Sequence, residues 1–344
     1  MPRRTTVFKS TISFVLPTAL VVAGVWWFFS ELRALKPNDS TRQMVVIAKN
    51  IGVRGVAQQL EGDGLIRNRF AFQLAVGLAG LSKNLQAGTF ELAPSMSATE
   101  IARLLTKGSV KEVVLTIPEG WTAKQIGDYL ERQGIGTSDD FQQVARAHDS
   151  RTVLPDDQFD FLGGRPPAAT LEGYLFPDTY RVFPDASTTT VVKKMLQNFN
   201  VKVTTELKIE AQRRGYSLFD VVTLGSIVER EVRTEADRRL VADIFWRRLA
   251  AGIPLQSDAT VNYVTGKNLL QPTQADTEAD SPYNTYKYKG LPPGPISNPG
   301  FISITAAIRP EPNPYFYFLT DAQGTVHYAK TYEEHLANKQ KYLP

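Results

Sequence analysis

A run of uncharged, mostly apolar residues at positions 11–29 constrains this chain more than any other feature. At about 1.5 Å of rise per helical residue, the run would form a helix roughly 28 Å long, close to the thickness of a bilayer core. Trp26 and Trp27 stand near its end, and Trp is enriched where a helix leaves the membrane. The sequence therefore predicts a single-pass membrane anchor at 11–29, preceded by a cytoplasmic tail at 1–10.

The charges that flank this run indicate its orientation. Arg3, Arg4 and Lys9 precede it, and basic residues are retained on the cytoplasmic side of a membrane. Arg33 and Lys36 follow the run and weaken this asymmetry without reversing it. A cleaved signal peptide is the alternative, but no small-x-small cleavage site follows the run. We expect an inner-membrane protein with its N-terminus inside and its body on the periplasmic or extracellular side.

Composition excludes several classes of site and partner. The net charge of +4, from 39 basic and 35 acidic residues, is too small and too dispersed to indicate nucleic-acid binding. The chain has no cysteine, which excludes disulfides, a thiolate nucleophile and a Cys-based metal site. His148, His327 and His335 are scattered, without a partner at metal-ligand spacing. We expect neither a metal nor a cofactor.

After a polar linker at 30–43, the region 44–140 contains three related passages. Each is a strand-like segment that leads into an amphipathic helix ended by glycine. Ser97 with Glu100 forms a predicted capping box, and Thr122 is a second predicted cap. This plan loosely resembles LysM-type modules, which implies a LysM-like small α/β region that binds N-acetylglucosamine-containing glycans. A helical spacer is the alternative reading.

The composition changes from about residue 141, where a predicted catalytic domain at 141–344 begins. Its first motif, LEGYLFPDTYRVFP at 171–184, places aromatic residues beside Glu172 and Asp178. Aromatic faces and carboxylates together suit sugar binding, because rings stack on sugars and carboxylates accept hydroxyl hydrogens. A loop that covers the core would explain the same pattern.

A strongly signalled helix follows this motif. Ser217 with Asp220 forms a predicted capping box, and a wide apolar stripe behind it predicts that the helix is largely buried. Glu229 and Glu231 lie near its end. At 100° per residue they fall on opposite shoulders of the stripe, so they cannot serve one site from the same face.

Glu229 is the better candidate for a catalytic carboxyl. Its side chain should lean over Gly225 and Ser226, two small residues that would leave space for a ligand. A carboxyl at the edge of an apolar stripe is partly desolvated and tends to keep its proton, as a general acid near neutral pH requires. The alternative is a salt bridge from Glu229 to Arg233, one turn further on.

The rest of the chain supplies polar loops that would complete a cleft. The next helix is capped by Thr234, and its arginines are predicted to form a solvated face. Two turn-rich segments, 254–263 and 281–300, are predicted to be long loops, which are commonly functional. The chain ends in a predicted hairpin around Gly324 and a C-terminal helix. The side chains expected to meet the Glu229 carboxyl are Gln256, Asp258, Asn284 and Tyr286.

Four motifs in order, LEGYLFPDTY, LGSIVEREV, LQSDATVNY and YNTYKYKGLPPGPISNPG, closely resemble those of the MltG (YceG-like) family of membrane-anchored endolytic murein transglycosylases. The resemblance implies an α+β fold with a mixed α+β YceG-like catalytic domain. It implies that Glu229 is the catalytic acid. The residues that it places in substrate-binding motifs are Glu172, Asp178, Ser226, Gln256, Asp258, Tyr283, Asn284 and Tyr286.

The resemblance also implies a reaction. The family cleaves the bond between N-acetylmuramic acid and N-acetylglucosamine within nascent peptidoglycan strands and leaves 1,6-anhydro ends, which would terminate glycan elongation. Partnership with peptidoglycan polymerases is a further hypothesis. Two alternatives stay open. One is a muramidase in which Glu229 and either Asp258 or Asp178 activate water, and the other is a non-enzymatic peptidoglycan-binding scaffold.

Overall fold

The chain divides into two compact units, Met1–Lys111 and Glu112–Pro344. Its strands form two-stranded antiparallel sheets that lie among helices, which confirms the predicted mixed α+β fold. Side chains are described from Leu20 onward. The computed structural model describes residues 8–109, 112–147, 159–267, 269 and 271–343.

The first helix, α1, spans Phe8–Glu31 and contains the run predicted as a membrane anchor. The side chains of residues 11–19 lie outside the described part of that run. The apolar side chains that follow are largely exposed, with Leu20 at 67% and Trp26 at 72%. Wherever side chains are described, we find no helix with both the length and the apolar character needed to cross a bilayer.

The N-terminal unit combines one strand pair with amphipathic helices around a small apolar core. Its elements after α1 are β1 (Gln43–Ile47), α2 (Gly52–Gly62), α3 (Arg69–Leu78), β2 (Gly88–Leu92) and α4 (Ala98–Lys107). β1 and β2 are antiparallel, and Val45 pairs with Phe90 on the buried face. Ser97 and Glu100 form the predicted capping box at the start of α4. A LysM-type glycan-binding role for this unit stays a prediction.

The C-terminal unit has a larger apolar core that joins its helices to two strand pairs. Before the central helix its elements are β3 (Val113–Thr116), α5 (Ala123–Arg132), α6 (Ser138–Ala145), a 3-10 turn (Asp160–Leu162), β4 (Thr179–Val182), α7 (Thr188–Lys202) and α8 (Thr205–Arg213). From that helix onward they are α9 (Leu218–Glu231), α10 (Glu235–Ala250), α11 (Asp258–Thr265), α12 (Gln274–Thr277), α13 (Phe301–Ile308), β5 (Tyr317–Thr320), β6 (Val326–Ala329) and α14 (Tyr332–Tyr342).

The third predicted strand-helix passage, β3 with α5, belongs to the C-terminal unit. β3 pairs with β4, so that Leu115 lies opposite Tyr180, and both side chains are buried in the core of this unit. The boundary between the compact units therefore lies at Lys111 and Glu112, earlier in the chain than the predicted boundary at 140/141. The partner strand of β3 comes from distant sequence, which no local pattern reveals.

Helix α9 is the buried centre of the C-terminal unit. Ser217 and Asp220 cap it as predicted. It packs closely on α13 at Gly225. A Cβ built on this glycine would lie only 3.4 Å from the carbonyl oxygen of Ser303. Ser226 is fully buried, and its hydroxyl accepts a hydrogen bond from the backbone N–H of Ile296. Protein atoms thus fill the space that we predicted beside these two small residues, so that prediction is wrong.

Helix α10 differs from the prediction on its basic face. Arg239 is exposed as expected, but Arg238 and Arg248 are only 8% and 5% exposed. The prediction of a fully solvated arginine face is therefore wrong for these two residues. Each is retained in the interior by acceptors from other parts of the chain.

The segment 254–263 was predicted to be a loop, and most of it is instead the helix α11. Ala259 and Val261 are buried in the core, so packing favours the helix. Ser257 precedes α11, and its hydroxyl donates to Glu231 but accepts no capping hydrogen bond from the first turn of the helix. The predicted hairpin around Gly324 and the C-terminal helix are confirmed as β5, β6 and α14.

Candidate active site

The carboxyl of Glu229 lies at the end of α9, where it contacts two other segments. Its side chain is 4% exposed. Nη2 of Arg238 in α10 donates to Oε1 at 2.5 Å, and the backbone N–H of Gly300 donates to Oε2 at 3.0 Å. The alternative considered for Glu229 was a salt bridge to Arg233, but its described ion-pair partner is Arg238. Because Gly300 is the N-cap of α13, the start of that helix also faces this carboxyl.

Glu119 is a second carboxyl in the same place. It belongs to the loop between β3 and α5, and its Oε2 lies 3.9 Å from Nη1 of Arg238. Its side chain is 46% exposed, so solvent reaches the group of residues around Glu229 at this point. Burial raises the pKa of Glu119, the charge on Glu229 raises it further, and Arg238 opposes both effects. One guanidinium therefore serves two carboxyls.

The absence of a side chain at Gly300 allows Glu119 to occupy this position. A Cβ built on Gly300 would lie 1.9 Å from Oε1 of Glu119, far closer than two such atoms can approach. The φ angle of Gly300 is −74°, which any residue can adopt. Glycine is thus required here for space and not for backbone conformation.

Asn298 fixes the loops around these carboxyls. Its side-chain oxygen accepts from the backbone N–H groups of Gly173 and Leu175, at 2.8 and 3.0 Å. Its side-chain nitrogen donates to the carbonyl of Trp121 at 3.0 Å and to Oε1 of Glu172 at 2.7 Å. This fully buried residue joins three segments that are far apart in the sequence.

Glu172, predicted to bind substrate, is a buried carboxyl next to this hub. Both of its oxygens accept from the backbone N–H of Ala123, at 2.9 and 3.0 Å. Burial raises its pKa to about 7, although its hydrogen bonds from Ala123 and Asn298 act in the opposite direction. Burial therefore favours the protonated form of this carboxyl more than water would.

A cavity of about 360 Å³ lies against Glu172. This volume is within the range of small-ligand sites, which are roughly 300 to 1,000 Å³. Arg230, the neighbour of Glu229 in sequence, is part of its wall and donates to the carbonyl of Gly120. The polar and charged side chains in its lining include Thr122, Lys124, Gln125, Gln142, Arg146, Asn262, Tyr263 and Lys267.

A separate cluster surrounds Glu231 and contains three of the predicted binding residues. The hydroxyl of Ser257 donates to Glu231. The Tyr286 hydroxyl donates to Asp258 at 2.5 Å, and burial raises the pKa of Asp258. Burial also raises the pKa of Glu231 to about 7, opposed by the Ser257 hydrogen bond and reinforced by the charge of Asp258.

Gln256 joins this second cluster through Arg248, whose Nη2 donates to its side-chain oxygen at 2.6 Å. Its φ angle of +54° is unusual for a residue other than glycine and orients the turn before α11. The structure thus brings Gln256, Asp258 and Tyr286 together around Glu231. Glu229 makes its described contacts with other residues.

The remaining predicted binding residues occupy structural positions. Tyr283 packs against Tyr263 of the cavity wall, with ring centres 5.1 Å apart. Asn284 is fully buried, and its side-chain nitrogen donates to the carbonyls of Thr277 and Ala279. It thereby shapes the loop that leads to Tyr286. A direct role in substrate binding stays a prediction for these residues.

Asp178 and Ser226 hold the fold together locally. Asp178 accepts from the side chain of Asn198 at 2.9 Å and from the backbone N–H of Thr179 at 2.8 Å, beside the β3–β4 pair. The Ser226 hydroxyl donates to the carbonyl of Thr223 within α9. Among the described residues, which exclude His148, no cluster of His, Cys, Asp or Glu is arranged to hold a metal ion.

Sequence reasoning missed the residues that surround Glu229. Glu119 and Gly300 lie in the segments IPEGWT and ISNPG, and neither was among the predicted site residues. Arg238 was assigned to a solvated face. One signal for this ion pair was present in the sequence. Arg238 lies in the first turn of its helix, and the buried helix just before it ends in two glutamates.

Comparisons with known proteins agree on one family. A model described as the YceG-like family matches residues 45–341. The chain is 34% identical over 334 residues to the endolytic murein transglycosylase of Bacillus subtilis (strain 168), which covers 94% of this chain and 91% of that protein. It is 29% identical to the endolytic murein transglycosylase of Streptococcus pneumoniae serotype 2 (strain D39), over 96% of this chain and 65% of that protein.

One solved structure agrees with these matches. The crystal structure of a putative yceG-like protein from Listeria monocytogenes is similar with a TM-score of 0.58 and 34% sequence identity. The match covers 87% of this chain and 99% of that one.

Proposed function

The chain belongs to the YceG-like family, and we propose that it is an endolytic murein transglycosylase that cleaves peptidoglycan strands internally. The bond cleaved is that between N-acetylmuramic acid and N-acetylglucosamine, and the product carries a 1,6-anhydro-muramic acid end. The observation that carries this proposal is the Glu229 carboxyl, positioned by Arg238 and Gly300 in a chain 34% identical to such an enzyme.

Glu229 performs both proton transfers in this mechanism. As an acid it donates its proton to the glycosidic oxygen, and the bond from that oxygen to C1 of muramic acid breaks. As a carboxylate it then takes the proton from the C6 hydroxyl of the same sugar, whose oxygen bonds to C1. The proton returns to Glu229, water takes no part, and a single carboxyl suffices where glycoside hydrolases generally use two.

Arg238 and Gly300 support the second half of this cycle. After donation Glu229 is a carboxylate, and a guanidinium at 2.5 Å and a backbone N–H at 3.0 Å both stabilise that form. They also fix the direction of the carboxyl, because α9, α10 and α13 position all three groups. General acid-base catalysis of this kind contributes about 10² to 10⁴ in rate.

Substrate binding has two candidate surfaces near Glu229. The cavity beside Glu172 has polar walls suited to sugar hydroxyl and N-acetyl groups, and Arg230 is part of its lining. Phe301, 42% exposed, directly follows Gly300 and offers an aromatic face on which a sugar ring can stack.

The cellular setting of this activity is part of the proposal. The exposed apolar side chains of α1 support a single-pass anchor in the cytoplasmic membrane, with the body on the outer side. A membrane-proximal enzyme meets newly made strands first, so its role would be to end glycan elongation. Co-purification with peptidoglycan polymerases in mild detergent is expected, and its absence would count against that partnership.

A muramidase is the second candidate, and the position of Glu119 favours it. Glycoside hydrolases generally use two carboxyls at one site. Asp258 and Asp178, the second carboxyls predicted from sequence, instead bind Tyr286 and Asn198. In this reading Glu119 would activate a water molecule while Glu229 protonates the leaving group.

Mass spectrometry of the products separates these reactions. The purified full chain is incubated with isolated murein, and the released ends are identified. A transglycosylase leaves 1,6-anhydro ends, whereas a muramidase leaves reducing ends that are heavier by one water molecule. Murein that is bound but never cleaved would instead indicate a scaffold.

A further inference from the structure

The contacts of Glu229 create a conflict with its first task. To donate a proton, Glu229 must carry one, but Arg238 and the Gly300 N–H both stabilise the ionised carboxylate. Some feature of the site must make it easier for Glu229 to take up a proton. The inference that follows rests on the proposed transglycosylase activity.

Glu119 has the position required to resolve this conflict. Its carboxyl lies 3.9 Å from the second terminal nitrogen of the guanidinium that binds Glu229. If both carboxyls are ionised, they share one positive charge, and the group carries an excess negative charge. One added proton on either carboxyl neutralises that excess, so the charge on Glu119 bears on whether Glu229 carries a proton.

We propose that Glu119 is a positioning residue of the reaction, which competes with Glu229 for Arg238 so that Glu229 can carry the proton that it donates. When Arg238 turns toward Glu119, Glu229 loses its positive partner and retains the proton. When Glu229 has donated the proton, Arg238 returns to it. Glu119 does not touch the reacting atoms in this account.

The groups that face Glu229, in the part of the chain that the structure describes, come from three segments. Glu229 is faced by Arg238 from α10, by the Gly300 N–H from α13 and by Gly120 from the β3–α5 loop. Arg230, next to Glu229 on α9, directs its guanidinium to the carbonyl of Gly120. The raised pKa of Glu119 agrees with a carboxyl that is partly buried beside a second negative charge.

Gly300 provides independent support from geometry. Any side chain at this position would occupy the place of the Glu119 carboxyl, since a Cβ would lie 1.9 Å from Oε1. No backbone strain requires glycine here. The site is thus built so that Glu119 can lie over the start of α13, close to Arg238.

The test is the pH profile of kcat/KM for release of 1,6-anhydro ends by the full chain in detergent, with isolated murein as substrate. Glu119→Gln removes the competing charge and leaves Arg238 to Glu229 alone. The alkaline limb, above which Glu229 is no longer protonated, should shift to lower pH by about one unit, with about a tenfold loss of rate beyond it. Glu119→Asp keeps the charge and should keep the limb in place.

A matched control is Glu131→Gln, which removes an exposed glutamate from α5 in the same unit and should leave the profile unchanged. An equal loss of rate at every pH for Glu119→Gln, with no shift of the limb, would overturn the inference. So would an unchanged profile, or inactivity of both Glu119 variants with unchanged melting temperatures. Failure of the function itself looks different, because wild type would then release no 1,6-anhydro ends.

Discussion

Arg238 and Glu229 form a buried ion pair that joins two successive helices, with 2.5 Å between Nη2 and Oε1. The side chains are only 9% and 4% exposed. Water therefore cannot replace either partner, and each charge depends on the other for its solvation. The same pair orients the proposed catalytic carboxyl. It should therefore contribute both to stability and to activity, and the two contributions can be measured separately.

Arg238→Met should destabilise the C-terminal unit strongly, because it leaves a buried carboxylate without its partner. We expect the free energy of unfolding at pH 7 to fall by about 3 to 5 kcal/mol, as measured by urea unfolding. Arg239→Met is the matched control on the same helix. Arg239 is exposed and lies 3.9 Å from Glu311, so its loss should change stability by less than about 1 kcal/mol. Equal effects of the two substitutions would contradict the buried pair.

Gly300→Ala should displace Glu119 without removing its charge. The new methyl group would occupy the position of Oε1, and the half-exposed Glu119 side chain can rotate into solvent. Stability should therefore change by less than about 1 kcal/mol, while the alkaline limb of kcat/KM moves to lower pH as for Glu119→Gln. Gly164→Ala, at a position with no atom within 4 Å of the new Cβ, is the control. If Gly300→Ala displaces Glu119 but the alkaline limb of kcat/KM does not move, the proposed role of Glu119 is contradicted.

Asn298→Ala should cost more stability than its size suggests. It removes the side-chain donor to Glu172 and to the carbonyl of Trp121, and it leaves two backbone N–H groups, of Gly173 and Leu175, without their acceptor. Each buried polar group left unpaired costs about 1 to 3 kcal/mol, so a loss of at least 3 kcal/mol is expected in urea unfolding. A loss near 1 kcal/mol would show that the loops relax around the missing side chain.

Glu231 should make stability depend on pH in a defined direction. Burial raises its pKa from 4.5 to about 7, so the folded state binds its proton more tightly than the unfolded state. This contribution is fully present below pH 4.5 and is lost as the pH rises through 7. Glu231→Gln removes the effect and can still accept from the Ser257 hydroxyl.

The difference between the Glu231→Gln variant and wild type in free energy of unfolding should therefore increase, in favour of the variant, by up to about 3 kcal/mol between pH 4.5 and 8. Urea unfolding at several pH values in this range measures it. Parallel curves for the two proteins would mean that Glu231 titrates as it does in the unfolded chain.

Local signals in the sequence predicted the helices well. Ser217 with Asp220, and Ser97 with Glu100, form the capping boxes expected from their spacing. Such signals depend on residues three positions apart, so they are readable without the rest of the fold. The helix that carries Glu229 was predictable for the same reason.

The surroundings of Glu229 were not predictable in this way. Arg238 is buried because two acceptors, Glu119 and Glu229, reach it, and Glu119 comes from a segment that is distant in sequence. Glu231 accepts a hydrogen bond from Ser257, so Ser257 and its neighbours lie around Glu231 and not around Glu229. Helical spacing placed the two glutamates on different faces correctly, but not the partners that each would acquire.

The most direct test compares Glu229→Gln with Glu231→Gln in the digestion of isolated murein, with the released ends identified by mass spectrometry. Glutamine retains the shape of Glu229 and can accept from one of its two donors, Arg238 or the Gly300 N–H, but it cannot donate the proton. Release of 1,6-anhydro ends should therefore fall by at least about 10². Glu231→Gln, at the end of the same helix, should retain activity within a few-fold. Normal release of 1,6-anhydro ends by the Glu229 variant, or their loss only in the Glu231 variant, would contradict the account.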